Sequence, residues 1–333
     1  MTHLRKLPLI DTPLFNIASK PIPYSRVHRL RSFQGTCFVK RDDELGFGIS
    51  GTKVRKYLSF LPAFLENKPE EAIVIGSAYS NHVLSLSQLL KENGVKPILF
   101  LLGDPSCKLQ GNLALTALIA GLENIHWVSR KQWKEVDGIA FQFAAGRSRA
   151  AVVPKGANCA SSLPGALTLA LDILRNEEEL GAQFDHILID SGTGLTACAL
   201  ILSFALLGKK AFVHVLQVAG DEEEFKTTLA ERKKDLEHLL RRPLPSPTQF
   251  KLYLPKEAPS FGSISKTLFD TIAEVAQSEG FLTDPVFTAK LFHEGRRIIA
   301  EEGLTGNVLF IHSGGGLGLM GFQDEIAIKL KNR

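Results

Sequence analysis

Runs of apolar residues too continuous to be half-exposed strands recur along this chain, with helical patterns between them. Ala72-Ile73-Val74-Ile75-Gly76 and His186-Ile187-Leu188-Ile189-Asp190 are two of them; 36–40, 97–102, 125–128, 151–153, 211–218, 250–254 and 307–312 are further strand candidates. A strand apolar at every position has both faces covered, and its alternation with helices points to parallel pairing through crossover connections. The expected fold class is therefore α/β, with two open, twisted, mainly parallel sheets carrying helices on both faces. Helices are expected from Lys53, where Tyr57, Phe60, Leu61 and Phe64 share a face, and over 82–92 and 111–120. Others are expected from near Ser129 and over 163–175, 195–207, 222–240, 264–279, 286–302 and 320–330. Residues 1–35 hold Pro8, Pro13, Pro21 and Pro23 without helical period, and read as an ordered arm laid along the surface. The alternation breaks near 154–164 into two blocks, as a chain of 333 residues leads one to expect.

Composition excludes several classes of function. The net charge of +4 is scattered, and no basic stripe is interleaved with aromatics, so nucleic acid is not an expected partner. Attraction for a small anion must come from local features. Cys37, Cys107, Cys159 and Cys198 form no Cys-x-x-Cys pair and no zinc spacing, which argues against metal and disulfide frameworks and fits a reducing compartment. The longest apolar helix candidate, 195–207, is short for a membrane and contains Thr196 and Ser203. The start lacks a stretch of secretory length. A soluble, cytoplasmic protein without membrane partners is expected.

Three stretches can carry chemistry. Ser50-Gly51-Thr52-Lys53-Val54-Arg55-Lys56 places an amine just after a flexible turn, with cations nearby that would lower its pKa. Ser77 and Ser80-Asn81-His82 lie at the mouth of a helix that follows a buried strand; a helix cap accounts for one of them, less well for all. His82 reads as structural, bonded to backbone in the first turn. Asp190-Ser191-Gly192-Thr193-Gly194-Leu195-Thr196 also joins a buried strand to a helix, where glycines let backbone N–H groups approach a phosphate. Gly192-x-Gly194-x-x-Ala197 satisfies a dinucleotide fingerprint too, although Asp221 lies later than the acid such a site uses. A nucleotide-dependent oxidoreductase is thus an alternative. Ser313-Gly314-Gly315-Gly316 ends the last strand, either as a close-packed turn or with Ser313 facing a ring nitrogen.

Lys40-Arg41-Asp42-Asp43, the lysine motif, Ser80-Asn81-His82, Gly111-Asn112-Leu113, Asp284-Pro285-Val286-Phe287-Thr288 and His312-Ser313-Gly314-Gly315 occur in the order seen in one family. Over roughly residues 8–330 the chain resembles the D-cysteine desulfhydrase / 1-aminocyclopropane-1-carboxylate deaminase family. These are pyridoxal-phosphate enzymes of fold type II, tryptophan-synthase-β-like. The resemblance implies a large domain of 1–52 plus 165–333, a small one of 53–164, an active site in the cleft between them, and a homodimer. It implies pyridoxal 5'-phosphate held by Lys53 as Schiff-base lysine and base at Cα. Asn81 would meet the ring hydroxyl, and Gly192, Thr193, Gly194, Leu195 and Thr196 the phosphate. Ser313, where the desulfhydrase branch has Thr, would meet the ring nitrogen and leave it largely unprotonated. Ser80 would act beside the substrate, with Asn81, His82, Phe261 and Phe287 lining its site.

The chain departs from the family pattern at Phe287 and Phe261, each standing for a Tyr, and at Thr288, where the deaminase branch has Glu. Thr52 replaces the Asn before the lysine. Losing two phenols removes candidate acids, which opening a cyclopropane ring needs most and expelling a thiolate least. The expectation is β-elimination from a small amino acid, D-cysteine first, giving pyruvate, hydrogen sulfide and ammonia. The alternatives are deaminase-like or other D-amino-acid ammonia-lyase chemistry, or a degenerate binder of the cofactor or of amino acids. Tyr79, beside Ser80, is a candidate substitute hydroxyl.

Overall fold

The computed structural model describes residues 13–46, 48, 49 and 51–331; the earlier part of the arm and Ser50 of the lysine motif lie outside them. Among these residues the strands are β1 (Val27–Arg29), β2 (Thr36–Lys40), β3 (Glu71–Ser77), β4 (Lys96–Leu102), β5 (Ile125–Val128), β6 (Ala150–Val153), β7 (His186–Ser191), β8 (Phe212–Gln217), β9 (Phe250–Tyr253) and β10 (Asn307–Ile311). They form a six-stranded sheet of order β1-β2-β10-β7-β8-β9 and a four-stranded sheet of order β5-β4-β3-β6. Every pairing is parallel except β1 with β2. The expected α/β class, with two mainly parallel sheets, is the fold found.

Side-chain alternation explains the uninterrupted apolar runs. In β7, Ile187 and Ile189 enter one core with Leu171, Leu202 and Phe204, while Leu188 enters another with Phe292 and Phe310. In β3, Ala72 and Val74 face one cluster and Ile73 and Ile75 the other. Each such aliphatic side chain contributes about 1.5–3 kcal/mol by leaving water. The apolar run at 195–207 is a helix, Leu195–Leu206, buried almost all round. Among the described residues no helix is long and apolar enough to cross a membrane.

Two expectations are corrected. The described part of the arm, from Pro13, is not laid along the surface: its five-residue helix Pro13–Ile17 sinks Leu14 fully into the large core, and β1 extends the large sheet. Its prolines break any period, so Leu14, Ala18, Leu30 and Phe33 are buried one at a time, a pattern that leaves no periodic trace. The helix expected from near Ser129 begins at Val136, because the Ser129 hydroxyl bonds Gln132 in a turn and a short 3-10 segment, Trp133–Glu135, follows.

The helix Thr52–Leu65 joins the two blocks. Tyr57 and Phe60 pack into a core of the four-stranded sheet. Arg55, two residues before Tyr57 and so on the opposite face, goes the other way. Its guanidinium bonds both oxygens of Asp42 at 2.7 Å and Asp172 at 2.6 Å, all fully buried, while Lys40 meets the same Asp172 oxygen at 2.6 Å. The helix start is thereby tied to β2 and to the helix Thr168–Leu180.

Candidate active site

Lys53 is the second residue of the bridging helix, and the chain reaches it through Gly51 at φ 71°. A Cβ on Gly51 would lie 1.8 Å from the Ser313 carbonyl oxygen, so only glycine passes there. That carbonyl also accepts the N–H of Thr52 at 3.1 Å. The lysine is thus fastened at its base to the turn after β10. Its ammonium makes no hydrogen bond or ion pair with the described residues. Burial lowers its pKa, and the carboxylates of Asp190 and Asp284 pull it partly back. The expected cause, neighbouring cations, is not the leading one, since Arg55 turns away into its own ion pairs.

Asn81 opens the helix Asn81–Glu92, and Ser80 is its N-cap, accepting the N–H groups of His82 and Val83. The cap leaves the Ser80 hydroxyl proton free to donate. Asn112, at the start of the helix Gly111–Ala120, donates Nδ2–H to Asn81 Oδ1 at 2.7 Å and to the Tyr79 carbonyl at 3.1 Å. With its oxygen taken, Asn81 presents its amide N–H groups, and a Cβ on Gly315 would stand 2.8 Å from that nitrogen. His82 is held by a side chain rather than by backbone as expected: Tyr57 Oη lies 2.7 Å from its Nδ1. Burial, then Lys56 and Lys53, drive its pKa well down, so it is neutral. Tyr79 does not serve the site, because its exposed hydroxyl donates to the Lys108 carbonyl.

The glycine turn joins β7 to the N-terminus of the helix Leu195–Leu206, with Gly194 at φ 90°. Leu195 is buried in the core, Thr196 is half-buried, and the backbone N–H groups of the first helical turn are unpaired within the helix. Asn158 donates to the Thr193 carbonyl at 2.6 Å and is itself held by Arg232. Lys56 approaches the same turn, donating to the carbonyl of Gly156, whose own position abuts Thr193. Burial, then repulsion by Lys53, lowers Lys56 to about 7. Phe287 lies against Gly192 and meets Phe261 edge-on, with ring centroids 6.0 Å apart. Ser313 is buried beside Asp190.

The residues named from sequence therefore gather, Tyr79 excepted. Lys56, Asn112, Asp190 and Asp284 join them unannounced. Asn112 had a signal in its motif, and Asp190 in being a carboxylate at the end of an apolar strand. Lys56 had none, since its basic neighbours suggest a solvated face.

A half-buried amine without a partner among the described residues, in the field of the carboxylate two residues before a glycine-lined helix mouth, defines an anion-cradling lysine site. As a fold, the chain resembles the crystal structure of an ACC deaminase homologue, with a TM-score of 0.80 over 95% of this chain and 98% of the other at 24% identity. The Arabidopsis thaliana protein named bifunctional D-cysteine desulfhydrase/1-aminocyclopropane-1-carboxylate deaminase, mitochondrial, is 27% identical, covering 99% of this chain and 84% of its own length. A Serratia proteamaculans D-cysteine desulfhydrase is 23% identical, covering 96% and 98% respectively. The model of the family described as pyridoxal-phosphate dependent enzyme matches residues 16–314, and the chain belongs to that family. Its cofactor is pyridoxal phosphate, and the residues present fit it: an unpartnered amine, an amide turned to donate, and a helix N-terminus with a lysine beside it.

Proposed function

We propose that this protein is a pyridoxal-phosphate lyase that eliminates the β-substituent of a small amino acid, D-cysteine being the favoured substrate. The observation that carries the reading is Lys53: an amine with lowered pKa, free of partners among the described residues, rooted against Ser313 and in the field of Asp190 and Asp284. Bound pyridoxal phosphate supplies an aldehyde carbon for an amine and a ring that accepts the electron pair released at Cα. Lys53 Nζ would hold that aldehyde carbon at rest and would serve as the base for the Cα proton of the substrate. A depressed pKa suits both tasks, since the neutral amine is the active form. Asn81 would donate to the ring hydroxyl, the N–H groups of 192–196 and Lys56 would hold the phosphate, and Ser313 would meet the ring nitrogen. Ser80 offers its proton to the substrate carboxylate. In balance, D-cysteine and water give pyruvate, hydrogen sulfide and ammonia.

The substrate preference rests on Phe261 and Phe287. No phenol stands at either position to assist departure of a carbon leaving group, and a thiolate leaves without one. The same pair supports a second reading, a binder of cofactor or amino acids that turns over slowly. The dinucleotide alternative gains nothing from the family match. We place the site in the cleft between a domain of 1–52 plus 165–333 and one of 53–164. By the family resemblance we also propose a homodimer, and by its lone thiols a cytoplasmic one.

The test has two stages. Purified protein should absorb in the visible and carry a phosphopyridoxyl label on Lys53 after borohydride, with both lost in Lys53→Ala. Pyruvate release is then compared across D- and L-cysteine, D-serine, β-chloroalanine and 1-aminocyclopropane-1-carboxylate. Labelled protein that turns over none of them is a binder; preference for the last reverses the substrate assignment.

A further inference from the structure

We propose that the Asp190 carboxylate is the proton partner of the cofactor's ring nitrogen, so that this chain holds the ring protonated where a serine alone would leave it neutral. The inference rests on the reading of the site given above.

Asp190 is the last residue but one of β7, beside Leu216 of β8, at the C-terminal edge of the large sheet. Its Oδ1 is sealed from solvent and has no hydrogen-bond partner among the described residues. A sealed carboxylate oxygen without a donor is costly, and such atoms mark places where a ligand or water completes the bonding. Three groups act on it: Lys53 from the bridging helix, Asp284 from the turn before the helix Thr288–Glu301, and the Ser313 hydroxyl after β10. Asp284 is closed to a ligand. Its Oδ1 accepts the N–H groups of Val286 and Phe287, and its Oδ2 accepts the N–H and hydroxyl of Thr288. Asp190 is the carboxylate left with capacity to accept a proton donor.

Elimination names the donor. Pyridoxal phosphate offers an aldehyde, a ring hydroxyl, a phosphate and a ring nitrogen. In the reading above, Lys53 takes the first, Asn81 the second and the glycine turn the third. The ring N–H remains, and Ser313, the residue on that side, stands next to Asp190. Burial, with a contribution from Asp284, lifts the Asp190 carboxyl to about 6, while Ser313 and Lys53 oppose the rise. A protonated ring nitrogen would place a cation directly beside the carboxylate, the partner that its open oxygen lacks. Such a ring is a stronger electron acceptor than the one expected from Ser313 by itself.

The test loads the full chain with pyridoxal phosphate carrying nitrogen-15 in the ring. The ring-nitrogen shift is followed from mildly acidic to mildly alkaline pH in the native protein, Asp190→Asn and Ser313→Ala. The native protein and Ser313→Ala should show the shift of a protonated pyridine at neutral pH, and Asp190→Asn that of an unprotonated one. A native spectrum unprotonated throughout overturns the inference even if Asp190→Asn fails to take up cofactor, and so does Asp190→Asn retaining the protonated shift. Borohydride labelling of Lys53 on the same samples separates the two readings. Label with an unprotonated ring defeats the role of Asp190 alone; no label defeats that role and the cofactor assignment together.

Discussion

Asn112 donates its amide to Asn81 Oδ1 over 2.7 Å, and that bond decides which half of the Asn81 amide faces Gly315. With the oxygen engaged, only the nitrogen can turn inward. Asn112→Leu would free Asn81 to rotate and remove a buried hydrogen bond, a loss of about 1–2 kcal/mol. Cofactor affinity should fall roughly tenfold by titration of the apoprotein, with the lysine still labelled by borohydride at saturating cofactor. Unchanged affinity would mean that Asn81 is oriented by something else.

Lys56 lies one helical turn beyond Lys53, and its amine approaches the phosphate turn through Gly156. Its folded pKa of about 7 is below the ordinary lysine value of 10.5, so the fold disfavours the charged form. The penalty on the cofactor-free protein is largest below about pH 7, shrinks as pH rises, and vanishes above the unfolded value. Lys56→Met should therefore raise the melting temperature of apoprotein at neutral pH and make little difference in strong alkali. The same change should weaken cofactor binding by about 1.5–3 kcal/mol, the contribution of a charge-assisted hydrogen bond. Melting curves of apo- and holoprotein against pH check both directions.

Arg55 neutralises two buried carboxylates at once. Arg55→Leu leaves Asp42 and Asp172 without that partner and should destabilise the protein by about 3–5 kcal/mol in denaturant titrations. Burial alone would raise Asp42, but Arg55 and Lys40 outweigh it and hold its pKa below the usual value. Its stabilising contribution is therefore present above the ordinary aspartate range and lost as pH falls through the depressed folded value. Stability of the native protein should fall on acidification over that interval, and the fall should be shallower in Arg55→Leu.

The edge-on pair Phe261 and Phe287 invites the reciprocal experiment. Phe261→Tyr with Phe287→Tyr restores phenols at both positions. If their absence disfavours ring opening, turnover of 1-aminocyclopropane-1-carboxylate relative to D-cysteine should rise at least about a hundredfold, the lower end of what a positioned acid contributes. An unchanged ratio would show that the preference is set elsewhere.

The sequence was most legible where periodicity reports burial. The doubly apolar runs around Ile73 and Leu188 mark strands with two covered faces, and the helix Glu222–Leu240 lies at the residues expected, opened by Asp221 as a side-chain cap. The first described residues were least legible, since burial of Leu14 and Phe33 one at a time has no period. At the site, lysine, glycine turn and Ser-Asn-His motif were readable because each is a local pattern. Lys56 was not, and Asn112 and Asp190 were visible only as members of local motifs, because the significance of all three lies in contacts with residues distant in sequence. Tyr79 misled for the same reason: adjacency to Ser80 in the chain does not turn its ring the same way.

Arg55 and Lys53 share the first turn and a half of one helix, and Arg55 anchors that stretch to the large sheet while Tyr57 and Phe60 belong to the smaller one. Any relative shift of the two sheets would therefore bend the helix beyond Arg55, so that the hinge of the proposed division falls a few residues past its nominal boundary. The backbone at Lys53 would stay pinned to Ser313 through the Thr52 N–H, while Ser80 and Asn81, which follow β3, would go with the smaller sheet. A substrate's way in would then change without moving the root of the amine.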